Sequence, residues 1–246
     1  MHPIRFRLLK PRTTAAYLLV LLCCSISFVS DAAENELPTF EPGSRLVFIG
    51  DSITDMKWGR NEKDRNHYLG HSFVFLIAAR LGADMPDTKL DFYNRGHSGN
   101  TVADLKKRWK KDAIDMKPDV LTILVGTNDA GRGVTADAFE SDYREILNAS
   151  RKANPKLKIV MLDPFAVRSG KLSSEAAWNA RGPLTKSLAA VVRKLAKEFE
   201  ASHIPTQEIF DKASARISAE HWIWDGVHPL PQGHELIARH WIEAMK

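Results

Sequence analysis

Ser52 stands just beyond an apolar, β-branched run, Leu46-Val47-Phe48-Ile49, with Gly50 and Asp51 between. Such a run reads as a buried strand. The hydroxyl therefore falls at the C-terminal end of a strand, where open α/β sheets take up their ligands. At neutral pH a serine attacks a carbonyl only when a base removes its proton. Far along the chain, His228 follows Asp225 by three residues. An imidazole within reach of Ser52 would act as general base, then as general acid toward a leaving alcohol. Asp225 would orient that ring and stabilise its cation. Each of these residues also has an ordinary reading. Ser52 or Asp51 suits a helix N-cap. Asp225-Gly226 is a turn dipeptide, and a lone histidine suits a surface. Asp-x-x-His offers two metal ligands, but no third His or carboxylate stands at matching spacing.

The elements that must position these groups can be read in order. Residues 45–49 form the first strand. Residues 57–71, dense in charge and without periodicity, read as a surface loop beside Ser52. A helix over 72–81 is closed by Gly82. A strand over 90–94 leads into Arg95-Gly96-His97-Ser98-Gly99-Asn100, and Thr101 caps a helix to about 112. The continuous apolar run 119–125 is a strand buried on both faces, followed by Gly126-Thr127-Asn128-Asp129. Phe139, Tyr143, Ile146 and Leu147 share a helix face, and Pro155 ends that helix. Residues 158–162 form a fourth strand and 163–173 a loop. Leu184, Leu188, Val191, Leu195 and Phe199 then recur at helical spacing. A weak fifth strand is expected near 203–210, and a last helix carries Ile237, Trp241 and Met245. Strands alternating with helices argue a parallel sheet covered on both faces. No internal repeat or second-domain boundary is visible.

Gly50-Asp51-Ser52, Gly96, Asn128 and Asp225-x-x-His228 match, in order and at family-like spacing, the four blocks of the SGNH (GDSL-type) hydrolases. Gly-Asp-Ser alone is a common tripeptide, whereas the four blocks together are specific. The resemblance covers about residues 45–240, and exported bacterial carbohydrate acetylesterases are the members most like this chain. It implies a three-layer α/β/α sandwich, flavodoxin-like, with about five parallel strands, and ester hydrolysis through a serine without a cofactor. In the strand order 2-1-3-4-5, strand 1 lies between strands 2 and 3. Ser52, Gly96 and Asn128 follow strands 1, 2 and 3, so they should meet at one sheet edge. The family supplies its oxyanion donors from the Ser52 N–H, the Gly96 N–H and the Asn128 side-chain amide. A glycine at 96 also lets substrate approach the backbone closely. Taken alone, Gly96 reads as a turn glycine and Asn128 as an Asx-turn. Gly70-His71-Ser72 and Gly96-His97-Ser98 begin a Gly-x-Ser-x-Gly elbow, but Val74 and Asn100 fail to complete it. Ser98 and His97 are expected to shape the Gly96 turn, with contact between His97 and substrate left open. His221, His234 and His240 are expected at the surface or core edge. Trp222 and Trp224 read as core before they read as a substrate platform.

Composition bounds the rest. The chain has 246 residues and a net charge of +5. Arg5, Arg7, Lys10 and Arg12 precede 18 uncharged residues, 13–30, and Ser30-Asp31-Ala32 offers small residues for cleavage before Ala33. Residues 1–32 thus read as a signal peptide, and 33–246 as one hydrolase domain. An uncleaved anchor is the competing reading, since 18 residues reach the lower limit for a span. Without residues 1–32, Lys+Arg falls from 35 to 31 and Asp+Glu from 30 to 29, a net +2. Nothing in that balance calls for nucleic acid. Cys23 and Cys24 are the only cysteines, and Leu22 before Cys23 does not suit a lipoprotein signal. A secreted or periplasmic chain without thiols must be held by its core. The charged loop 57–71 and the tryptophans before Asp225 suit a short acyl group, such as acetyl, on a polar carbohydrate. A lysophospholipase or thioesterase of the envelope, or a non-catalytic glycan-binding module on the same fold, are the alternatives.

Overall fold

The computed structural model describes residues 36–246. The expected signal peptide 1–32, its cleavage point and both cysteines lie outside the described residues. Five parallel strands form one sheet in the order β2-β1-β3-β4-β5. They are β1 (Arg45–Gly50), β2 (Asp91–Gly96), β3 (Val120–Leu124), β4 (Lys158–Leu162) and β5 (Ser202–Ile204). The helices are α1 (Ser52–Asp55), α2 (Phe73–Asp84), α3 (Val102–Trp109), α4 (Thr127–Gly131), α5 (Ala136–Ala153), α6 (Glu175–Glu198), α7 (Thr206–Ser214), α8 (Ala219–Trp222) and α9 (Pro231–Ala244).

Alternate residues of each strand feed two cores. Leu46, Phe48, Val120, Leu124, Val160 and Leu162 pack with α2 and α9 on one face. Val47, Ile49, Leu121, Ile123, Ile159 and Met161 pack with α3, α5 and α6 on the other. This is the pleat's two-residue period seen in a sheet buried on both faces. Thr122, the one polar residue of β3, accepts a hydrogen bond from Trp241 Nε1 at 2.9 Å, so its hydroxyl is not left unpaired in the core. The register ends where the site begins. Gly50 is the last β1 residue paired with both neighbours, opposite Gly96 on one side and Leu124 on the other.

Several element expectations are corrected. The fifth strand stops at Ile204, because Pro205 has no N–H to extend a ladder. Thr206–Ser214, expected in part as strand, is α7. Gly82 does not close α2, which continues to Asp84: a solvent-facing glycine weakens a helix without ending it. The helix expected to 112 is α-helical to Trp109 and continues as one wider turn, Lys110–Ile114. No helix among the described residues is long and apolar enough to cross a membrane.

Candidate active site

The nucleophile turn is built by glycine and a buried carboxyl. A Cβ on Gly50 would lie 2.2 Å from the Leu124 carbonyl oxygen, so only glycine lets β1 pass β3 at this point. Asp51 is the N-cap of α1 and accepts the Ile53 N–H at 3.0 Å. Ser52 is therefore the first helical residue rather than the cap. No hydrogen bond among the described residues engages its N–H, as expected at a helix start.

Ser52, His228 and Asp225 come together. Ser52 Oγ lies 2.8 Å from His228 Nε2, and His228 Nδ1 lies 2.8 Å from Asp225 Oδ2. The other carboxylate oxygen accepts the N–H groups of His228 (2.9 Å) and Val227 (3.2 Å). Burial pushes the Asp225 carboxyl up, but the bonds from the His228 ring and from these two N–H groups outweigh it and hold the pKa below the ordinary value. The group stays an anion that accepts from Nδ1. That leaves the ring proton on Nδ1 and the Nε2 lone pair toward Ser52. The loop carrying this pair is tied down: Val167 N–H donates to the Gly226 carbonyl (3.0 Å), and Ser169 Oγ donates to that of Ile223 (2.6 Å).

Asn128 sits at the second position of α4, just after β3. Its Nδ2 donates to the Asn100 carbonyl at 3.0 Å. This bond crosses to the loop after β2, so the side chain does not merely close its own turn. One amide N–H remains beyond that bond.

Gly96 departs from expectation. Its N–H is spent on Asn94 Oδ1 at 2.9 Å, and its carbonyl accepts Trp58 Nε1 at 2.9 Å. A Cβ here would fall 2.3 Å from Asp55 N. The glycine is needed for α1 to pack on β2, and its N–H is not available to an oxyanion. Three residues on, Gly99 has φ +82°, and the nearest atom to where a Cβ would stand is Arg132 Nη2 at 4.0 Å. No hydrogen bond among the described residues engages the Gly99 N–H. It lies between Ser98, which lines the cleft beside Ser52, and Asn100, which holds Asn128. The signal available in sequence was Gly-Asn directly before the Thr101 cap.

Buried charge underlies the site. Burial raises the Asp51 carboxyl to a pKa of about 7 and that of Asp129 to about 6, even though Asp129 accepts the Val102 N–H at the start of α3 (3.1 Å). Arg181 of α6 reaches the Thr127 carbonyl with Nη2 at 2.6 Å; burial lowers its pKa, and the Asp225 and Asp51 carboxyls act against that shift.

A cleft of about 550 Å³ opens over Ser52 and His228, walled by Met56, Lys57, His71 and Trp224. Trp224 is 56% exposed, which corrects its reading as core, whereas Trp222 packs against the core as expected. His97 is half-buried and does not line this cleft. His221 and His240 are exposed. His234 is fully buried, and its Nδ1 accepts the Phe73 N–H at 3.3 Å. Burial drives its pKa down to about 3, so it is neutral. Trp58, a member of the charged loop that no sequence pattern marks, is buried, with the Arg60 guanidinium 4.5 Å from its ring centroid. Among the described residues no group of three His, Cys, Asp or Glu is placed to hold a metal ion.

Comparison with known proteins gives the same picture. Residues 48–236 match the GDSL-like Lipase/Acylhydrolase family. An acetylxylan esterase of Geobacillus stearothermophilus is 32% identical over 212 residues, 80% of this chain and 91% of that protein. The crystal structure of Axe2, an acetylxylan esterase of the same organism, superposes with a TM-score of 0.73 at 30% identity, covering 84% of this chain and 96% of that one. A GDSL-like protein from Parabacteroides merdae superposes with a TM-score of 0.79 at 33% identity, covering 85% and 99%.

Proposed function

The chain belongs to the GDSL-like lipase/acylhydrolase family and is a carboxylic ester hydrolase; on that footing we propose that it removes short acyl groups, acetyl first among them, from a carbohydrate through an acyl-Ser52 intermediate. The observation that carries this reading is the unbroken relay from Ser52 Oγ to His228 to Asp225, each link 2.8 Å long. His228 Nε2 takes the Ser52 proton as Oγ attacks the ester carbonyl. It then returns the proton to the departing sugar hydroxyl. Water, deprotonated by the same nitrogen, releases the acid from Ser52. The negative oxygen of each tetrahedral intermediate is met by the Ser52 N–H, the second amide N–H of Asn128 and, in place of Gly96, the N–H of Gly99.

Two features favour a sugar over a lipid as the alcohol. Trp224 offers an exposed indole face at the cleft mouth, a surface on which a pyranose ring stacks. Lys57 and His71, both from the charged loop, also line the cleft, beside the apolar Met56, Pro229, Leu230 and Pro231. The intact relay argues against a non-catalytic module. Localisation follows the N-terminal reading: residues 1–32 direct export and are removed, leaving a domain that acts outside the cytoplasm without a membrane anchor, nucleic-acid partner or cofactor. The test is a series of p-nitrophenyl esters from acetate to decanoate beside acetylated xylo-oligosaccharides. The reading expects kcat/KM to fall with chain length and acetate to be released from the glycan. A maximum at eight or more carbons, with no glycan deacetylation, would replace it with a lipid-directed esterase.

A further inference from the structure

Arg108, on the last turn of α3, bonds to the end of β1, to the end of β2 and to the turn that follows β2. Its Nη2 donates to the Gly50 carbonyl at 3.1 Å, two residues before Ser52. Nη1 donates to the Arg95 carbonyl at 2.9 Å, at the end of β2, and to Asp112 Oδ2 at 2.9 Å. Nε donates to the Asn100 side-chain oxygen at 2.8 Å. Asn100 in turn holds Asn128 through its main-chain carbonyl. Gly50 and Gly96 are the last paired residues of β1 and β2. Just beyond them one backbone bond, from His97 N–H to the Gly50 carbonyl at 3.0 Å, is the last tie between the two strand ends.

We infer that Arg108 is a positioning residue for the hydrolysis: its planar guanidinium clamps the paired ends of β1 and β2 to the Asn100 turn, so that the Ser52 turn and the Asn128 amide keep one relative position. This rests on Asn128 as oxyanion donor. Four of the five guanidinium N–H groups are engaged in a fork that a lysine ammonium cannot reproduce. The neighbouring Asp112 neutralises the charge, and both side chains are mostly shielded from water, 15% and 12% exposed. The cation is therefore not free to bind substrate. It acts through the groups it holds.

The experiment is a double-mutant cycle on p-nitrophenyl acetate. Rates are taken per active site counted with an organophosphorus titrant, and melts are run alongside. Arg108→Lys is expected to lower kcat about tenfold or more with KM within about threefold, because a small misplacement of reacting groups costs rate rather than ground-state binding. In an Asn128→Ala background the same change is expected to cost less than about threefold, since the group it positions is gone. Asn100→Ala, which removes only the Nε partner, should lower kcat about fivefold with little change in Tm, and gives the answer if Arg108→Lys does not fold. A folded Arg108→Lys enzyme with parental kcat overturns the inference, as does an equal penalty with and without Asn128. If Asn128→Ala itself leaves kcat intact, the oxyanion reading fails first and takes this one with it.

Discussion

Asp51 illustrates how one residue can serve position and electrostatics at opposing costs. Its carboxyl caps α1 and so orients Ser52, yet it is fully buried, with one oxygen left without a partner. Burial raises its pKa from 3.8 to about 7. The folded protein thus binds a proton here that the unfolded chain releases near pH 4. The stability this proton contributes is complete below about pH 4 and is lost as pH rises toward 7. Asp51→Asn keeps the capping oxygen and removes the ionisation. Its Tm relative to the parent should therefore climb between pH 4 and 8, and a pH-independent difference would refute the buried-carboxyl account. At Ser52, a sulfonyl fluoride should add one adduct, mapped to that residue; an adduct on Ser72 or Ser98 would displace the assignment. For Asn128, replacement by Ala should lower kcat roughly 10²–10³-fold with KM little changed. Asn128→Asp places a negative charge where one must develop and should be at least as damaging. Near-parental turnover in a folded Asn128→Asp protein would remove the oxyanion role.

Elements were legible wherever their apolar pattern had one meaning. Residues 119–125 read as a doubly buried strand, and β3 is that strand within a residue at each end. Where one pattern served two structures, the reading failed. Ile204, Ile209 and Phe210 suit a strand or a helix face, and only Pro205, which cannot donate to a ladder, separates β5 from α7. Glycine carried the same ambiguity. Gly96 was legible as a required glycine, but not its reason, because contact with Asp55 across 40 residues is a tertiary fact. Arg108 was invisible for a related cause: its partners Gly50, Arg95 and Asn100 stand at the end of β1, near the end of β2 and in the turn after β2, and only the folded sheet brings the first to the other two. Gly82 gives an element-scale test. It lies within α2, and nothing stands within 4 Å of where a Cβ would sit, so Gly82→Ala adds no clash and removes unfolded-chain freedom. Stability should rise by about 0.5–1 kcal/mol with kcat unchanged. A fall in Tm would mean that the glycine is needed for the shape of α2.

At the scale of the molecule, one sheet with two apolar faces explains both why the fold was readable and why it requires no covalent staple. Each face is closed by helices whose large side chains are wholly buried: Phe48, Phe73 and Trp241 on one side, Phe139 and Tyr143 on the other. Burying such side chains contributes about 1.5–3 kcal/mol each, before conformational entropy is set against it. Stability in the 36–246 domain thus comes from packing, and that stretch contains no cysteine. The same fact makes export testable. Cys23 and Cys24 are the only thiols of the chain, and both lie within the expected signal peptide. If residues 1–32 are removed, the exported protein carries no thiol at all. Alkylation with iodoacetamide under denaturing conditions should then leave its intact mass unchanged, and a reductant should alter neither Tm nor turnover. The intact mass should also begin at Ala33. Exported protein that gains one or two alkyl groups would show that the segment is retained, and the domain would then work from a membrane tether.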